Sequence, residues 1–360
     1  MSTVLAPASV AELREVVRSC PRLLAFGAGT KTRLSQVEVP KLSMTRLAGM
    51  VEYEPSEFTF TAMAGTPVRQ LVESLSARGQ CLPFDPILLE AGATLGGTVA
   101  AGLSGPGRLR FGGIRDFIIG AQFVDGLGRL LRVGGKVVKN AAGFDLPKFF
   151  VGSLGRFGVL TELTFKVFPF ASSTLTLKLG APDAECAARI MVEAARARWE
   201  PQALDILPGS CDVYLRLAGP AQALDQIAKE ILSNWPGEKL TEMQARVIWS
   251  DLNEFRWAYP SGLLAKIVFT PAVLPMAHRE LQSLDGVRIH VSSGGNVAFV
   301  SLPSVDQSSK LNQVLCDLSL PAVTLRGEAL LWLGAQPRPK ILDAVKRALD
   351  PDNRFPGLDD

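Results

Sequence analysis

Histidine is nearly absent from this 360-residue chain, which carries two, His278 and His290. So small a supply leaves no ligand set for a histidine-rich metal site and no pair for two-histidine catalysis. The five cysteines, Cys20, Cys81, Cys186, Cys211 and Cys316, are scattered and form no CxxC. Zinc ribbons and iron–sulfur ligation by this chain are thereby excluded. An odd, unclustered count reads as reduced, mostly buried thiols in a cytosolic protein. Charge of one sign is missing too. The 38 Lys+Arg and 35 Asp+Glu leave a net charge of +3, which is no footprint for nucleic acid. No basic leader followed by an apolar core opens the chain, so no secretory signal is expected. The longest uncharged run worth testing as a membrane span, 91–107, holds six glycines and a proline, which suits a ligand-binding loop better than a lipid-facing helix.

What is present is an ordinary packed composition, 47% hydrophobic and 20% charged, over a length that predicts two domains at ~150 residues each. Glycine is dense over 92–158 and sparse over 181–260. That shift predicts a boundary near 168–172, giving domains 1–170 and 171–360. A capping-box pattern at Ser9 and Glu12, with Val10, Leu13, Val16 and Val17 on one face, predicts a first helix stopped by Pro21. A short apolar strand follows at 23–26. A helix is expected over 67–78, with Thr66 as its cap and Pro67 at its first position. In the second half, strands are expected over 174–179, 213–217, 266–269, 287–291 and 297–302, and amphipathic helices over 183–198, 221–234 and 338–349. Strands with intervening helices imply an α+β domain with an antiparallel sheet.

The glycine clusters are the chemical candidates. Gly27, Ala28, Gly29, Thr30 and Lys31 follow the strand ending at Phe26, and consecutive N–H groups in such a turn form an anion-binding concavity. A dinucleotide fingerprint fails because Thr32 stands where the third glycine belongs, and a Walker A loop fails because Thr30 precedes Lys31. The choice is between a phosphate cradle and a tight turn. A second stretch joins Asp85 and Pro86 to Thr94, Gly96, Gly97 and Thr98 and ends at Gly105. Its small residues leave room for a flat ligand or for a close packing seam. Arg108, Arg110 and Arg115 follow, as phosphate partners or solvated charges. The third stretch is GGKVVKNAAGFDL (134–146), followed by Gly155, Gly158 and Val159. Glycine clusters repeated at strand ends are better explained by one extended ligand than by unrelated turns.

The order FGAGTK, AGTPVRQLVESLSARGQCLPFDP, AGATLGGTVAAGLSGPGRLRFGGIRDFIIG, GGKVVKNAAGFDLPKFFVGSLGRFGVLTELTFKVFP and LDPDNRFPG resembles the FAD-binding domain of the vanillyl-alcohol oxidase and p-cresol methylhydroxylase flavoproteins. Within that group it is most similar to the FAD-binding subunits of bacterial-type glycolate oxidase. The likeness is dense over about 21–170, a span of one domain. It implies an α+β fold: a two-lobed FAD-binding domain, then an α+β C-terminal cap or substrate-type domain. It also implies that Phe26, Gly27, Ala28, Gly29, Thr30 and Lys31 bind the FAD pyrophosphate. Thr94, Gly96, Gly97 and Thr98 would lie by the diphosphate, ribityl chain and flavin ring, with Asp85 and Pro86 counted in the same binding set. Gly105, Arg108, Gly112 and Asp116 would continue that wall, and Gly155, Gly158 and Val159 would stand near the adenosine. Ala28 departs from the glycine of many relatives, which is tolerated if its φ stays negative. With no histidine before His278, noncovalent FAD is expected.

Relatives that oxidise hydroxy acids carry histidine-rich C-terminal motifs, and this chain has none. His278 is expected at a solvated helix start. His290 is expected as a structural strand residue with no partner to orient it, and no catalytic residue or metal ligand is assigned. The resemblance implies an FAD-carrying subunit of a multi-subunit glycolate oxidase that acts on glycolate or D-lactate. Its partners would be a larger homologous flavin subunit and an iron–sulfur subunit. The location would be cytoplasmic, with any inner-membrane association peripheral and through partners. A free-standing FAD-dependent oxidoreductase and a non-catalytic scaffold remain the alternatives. Trp249, Phe255, Trp257 and Tyr259 form an aromatic cluster suited to an interface or to core packing.

Overall fold

The structure is a computed structural model that describes residues 4–135, 145–336 and 339–360. Its packing divides the chain into two units. The first contains Met1–Ser104, Gly113–Phe170 and Arg338–Asp360, and the second Gly105–Gly112 and Ala171–Pro337. The main break follows Phe170, but two segments change sides relative to a simple 1–170 and 171–360 division. The reason at the C-terminal end is burial. Phe355 is 1% exposed and lies in the same apolar cluster as Leu13, Leu23, Leu42 and Val159.

In the first unit, Val4–Leu5, Lys41–Ser43 and Leu24–Phe26 form a small parallel sheet with Lys41–Ser43 in the middle. The helix Val10–Ser19 buries Leu13 and Val17. Ser9 Oγ accepts the Glu12 N–H at 3.1 Å, whereas the Glu12 carboxylate accepts from Ala8, so the expected box is shifted by one donor. Five antiparallel strands make a second sheet, in the order Met50–Glu54, Thr59–Met63, Val159–Lys166, Ile118–Val124, Leu130–Gly134, and Gln80–Cys81 pairs separately with Phe168–Pro169. Phe60 and Phe165 stack across it at 5.7 Å between centroids. The expected second helix is Val68–Ser76. Thr66 does not cap it, because its hydroxyl donates to the Met63 carbonyl and accepts the Gly49 N–H instead.

The second unit is built on nine strands, in the order Gly237–Lys239, Ser173–Leu179, Val213–Gly219, Ala203–Ile206, Arg288–Ser292, Val297–Leu302, Leu263–Val268, Pro321–Arg326, Trp332–Gly334. Every pairing is antiparallel. The strand side chains alternate, so Leu177, Leu215, Ile289, Val300 and Ile267 share one buried face with residues of the helices Ala184–Arg196, Ala221–Asn234, Leu274–Gln282 and Ser308–Asp317. A smaller cluster of Ala203, Tyr214, Trp249 and Leu252 involves the helix Glu242–Asn253.

Trp249 and Phe255 are buried, and Trp249 Nε1 donates to Thr176 Oγ1 at 3.0 Å. Tyr259 donates to the Gly286 carbonyl and carries the Arg288 guanidinium 3.9 Å over its ring. The aromatic cluster is thus packed within its own unit. None of the five cysteines is fully buried: four are half-buried and Cys316 is exposed. Among the described residues, no helix is long and apolar enough to cross a membrane.

A cleft lined by three glycine turns

The strand Leu24–Phe26 runs into Gly27–Lys31, and a short turn of helix, Thr32–Ser35, follows. Gly29 adopts φ +67°, the left-handed conformation that glycine takes without a Cβ penalty. Ala28 is not among the positive-φ residues, so its methyl is compatible with this turn. Residues 95–101 form a helix, Leu95–Ala101, capped by Thr94, whose hydroxyl accepts the Gly97 N–H at 3.3 Å. A Cβ on Gly96 would stand 2.8 Å from the Ala64 Cβ. The small residues therefore serve both purposes, as Gly96 packs closely on Ala64 and both line the cleft. The third turn holds Gly155 at φ +73° and Gly158 at φ +157°.

These turns meet. Phe26, Gly27, Ala28, Gly29, Thr30 and Lys31 line a cleft together with Thr94, Gly97 and Gly155. An adjoining pocket is lined by Gly27, Thr94, Gly96, Gly97, Gly155, Gly158 and Val159. Sequence reasoning missed further walls, among them Met44, Ala64, Ala100 and Leu160, which carry no chemical signal, and Ser153. A larger cavity of about 550 Å³ lies elsewhere, lined by Phe58, Lys166 and Phe168, and includes no residue of these turns.

The remaining expected cofactor residues do not line this cleft. Asp85, at φ +47°, and Pro86 lie in a separate loop. Thr98 is buried, with an unpartnered hydroxyl oxygen. Asp116 accepts the Gly113 N–H at 2.9 Å and caps the turn Ile114–Phe117. Gly105, Arg108 and Gly112 belong to the second unit. Of the stretch 134–146, residues 136–144 lie outside the described residues.

Lys31 brings a positive charge to the cleft lining. It is 8% exposed, its ammonium donates to Thr30 Oγ1 at 3.0 Å, and it makes no ion pair among the described residues. Desolvation by burial lowers its pKa to about 8. A buried cation without a counter-ion, beside glycines that leave backbone N–H groups accessible, suits an anionic ligand such as a diphosphate. Arg156, on the third turn, is buried as well. Its pKa is lowered to about 10 by desolvation, raised in part by Asp360 and lowered further by Arg33.

In the second unit, His290 does have a partner, contrary to expectation. Its Nε2 lies 2.7 Å from Asp205 Oδ2, with both residues buried. Antiparallel pairing brings a carboxylate 85 positions earlier in the chain to the histidine. The ring stacks on Phe299 at 5.6 Å and meets Trp257 edge-on at 5.8 Å. Phe299 pairs with His290 on one side and Lys266 on the other, so all three share a sheet face. Lys266 is lowered to about 8 by desolvation, with the Arg108 charge adding to the shift. His278 is half-buried on the helix Leu274–Gln282, and burial lowers its pKa.

The chain is an FAD-binding protein: the family model described as an FAD binding domain matches residues 1–134. Over 248 residues the chain is 35% identical to the glycolate oxidase subunit GlcE of Escherichia coli, covering 68% of this chain and 67% of that one. The chain belongs to the FAD-binding subunits of the glycolate oxidase type. It is also 28% identical over 211 residues to the glycolate oxidase subunit GlcD of Bacillus subtilis, covering 57% of this chain and 45% of that one. To a D-lactate dehydrogenase of Archaeoglobus fulgidus it is 33% identical over 144 residues, 40% of this chain and 32% of that one. Among solved structures, alkyldihydroxyacetonephosphate synthase superposes with a TM-score of 0.71 at 16% identity, over 97% of this chain and 76% of that one. That likeness shows the fold, an FAD-binding domain followed by an antiparallel α+β unit. The chain is thus in an FAD-dependent oxidoreductase family whose members act on hydroxy acids.

Proposed function

We propose that this chain is the FAD-carrying subunit of a multi-subunit glycolate oxidase and takes part in oxidising glycolate or D-lactate to the 2-oxo acid. The observation that carries this reading is the 35% identity to the Escherichia coli glycolate oxidase subunit, which extends over two thirds of that protein. The cofactor residues are Phe26–Lys31, Thr94, Gly96, Gly97, Gly155, Gly158 and Val159, which line the two adjoining clefts. Lys31 holds positive charge against the diphosphate, and the glycines let the backbone approach it. Bound FAD supplies the hydride acceptor for the carbon that bears the substrate hydroxyl.

The chain's own contribution to substrate chemistry is thin. Of the two histidines, His290 is committed to Asp205 and closed in by rings. A larger homologous flavin subunit supplies the main catalytic site in this reading, and an iron–sulfur subunit carries electrons onward.

The test is anaerobic and spectroscopic. Glycolate or D-lactate is added to the FAD-loaded chain, alone and with its partner subunits, and flavin absorbance is followed. Bleaching only in the assembled complex supports the subunit reading. Bleaching by the isolated chain replaces it with a free-standing oxidoreductase. A chain that stays colourless after incubation with excess FAD leaves only the scaffold alternative.

A further inference from the structure

The C-terminal segment returns to the first unit and ties together two of the turns that line the cleft. The helix Ile341–Leu349 carries Lys346, which is 7% exposed. Its ammonium donates to the Arg156 carbonyl at 2.8 Å, Asp350 Oδ2 at 2.6 Å, the Phe355 carbonyl at 3.0 Å and the Pro356 carbonyl at 3.1 Å. Arg156 stands between Gly155 and Gly158, so one of these bonds holds the backbone of the third cleft turn. The Asp350 carboxylate accepts the Phe355 N–H at 2.9 Å and the Arg354 N–H at 2.8 Å, which fixes the bend after the helix. The Arg354 carbonyl then accepts the Leu23 N–H at 2.8 Å. Leu23 leads directly into the strand Leu24–Phe26 and hence into the first cleft turn. The Arg354 guanidinium also donates to the Val17, Arg18 and Cys20 carbonyls, satisfying the end of the helix Val10–Ser19.

Two properties separate this arrangement from a surface ion pair. Lys346 and Asp350 are both buried, so each lost bond would leave an unpaired polar group out of water. The bonds also run to backbone atoms of two cleft-lining segments that are more than a hundred residues apart in the chain. A shift of the segment would therefore be felt at both turns.

We propose that residues 346–356 form a strap that holds the Gly27 and Gly155–Gly158 turns at the spacing FAD requires, with Lys346 as the positioning residue. The inference rests on the reading of the cleft as the FAD site. By reciprocity, whatever the strap contributes to FAD binding, FAD must return to the strap.

The test uses the full chain stripped of flavin and titrated with FAD, with binding read from quenching of flavin fluorescence. Lys346→Met is expected to raise the FAD Kd about 10-fold or more, and Lys346→Arg to recover part of the loss. In the wild-type chain, FAD is expected to slow hydrogen exchange at the Arg354 and Phe355 amides. A wild-type Kd for Lys346→Met, or exchange at those amides that FAD leaves unchanged, overturns the strap. If Lys346→Met yields no folded protein, the exchange experiment decides alone. Gly27→Val separates the two readings. If it keeps FAD, the cleft is misassigned; if it loses FAD while Lys346→Met binds normally, only the strap fails.

Discussion

The Thr94 hydroxyl fills the space that a side chain at Gly27 would need: an added Cβ would stand 2.0 Å from its Oγ1. The same hydroxyl caps the helix Leu95–Ala101, so it is not free to move aside. One oxygen thus sets both the start of a helix and the approach of the first glycine turn.

Replacing Gly27 with valine is expected to abolish FAD retention, read as the ratio of absorbance at the flavin band to that of protein. Gly29→Ala is the control. No atom lies within 4 Å of its added Cβ, and the substitution meets only a φ of +67°, a strain of about 1–2 kcal/mol. Equal flavin content in the two variants would dismiss the close approach as the cause.

Lys31 gives the cofactor affinity a pH dependence with a definite sign. With its pKa near 8 in the flavin-free chain, the ammonium is present below that pH and disappears above it. FAD affinity is expected to hold up to about pH 7 and to fall by about pH 9 as the counter-charge is lost. Lys31→Met should bind FAD more weakly and with a flat profile across that window. Stability of the flavin-free chain runs the opposite way. The folded pKa lies below the ordinary 10.5, so the unfolded state binds more protons between the two values and stability rises with pH there. Chemical denaturation at several pH values checks this.

Asp205→Ala would strip His290 of its hydrogen-bond partner inside a closed ring cage, at a cost of about 3 kcal/mol. Asp205→Asn, which keeps a polar atom in place, should cost less. Urea midpoints of the two variants measure the difference.

Thiol titration should show one fast-reacting group, Cys316, which is exposed. Cys81 should be among the slow ones, because burial, with the Asp85 charge adding to it, raises its pKa to about 11. A fast Cys81 would contradict its placement.

The sequence announced the glycine turns that line the cleft because glycine at strand ends has a physical reason to recur. It located the strand Val297–Leu302 and the helix Ala221–Asn234 to the residue, since both have clean periodicity and unambiguous ends. The helix Leu95–Ala101 was hidden, because Gly96 and Gly97 disfavour helix and only the Thr94 cap and the contact with Ala64 make up for it. Asp205 was equally silent, as one acid in an apolar strand carries no sign of a partner 85 positions away. Lys346 and Asp350 gave no signal in the sequence, because a lysine and an aspartate near a helix end are ordinarily solvated, yet both are buried. Arg108 follows the glycine run in sequence, but its segment 105–112 packs with the second unit.

The discontinuity of the first unit sets an order of events during synthesis. Its apolar cluster includes Phe355, which the ribosome adds only after the entire nine-stranded unit has been made. Domains generally fold as they emerge, from the N-terminus onward, but this one must wait. The cluster of Leu13, Leu23, Leu42 and Val159 is completed only once Phe355 has been added.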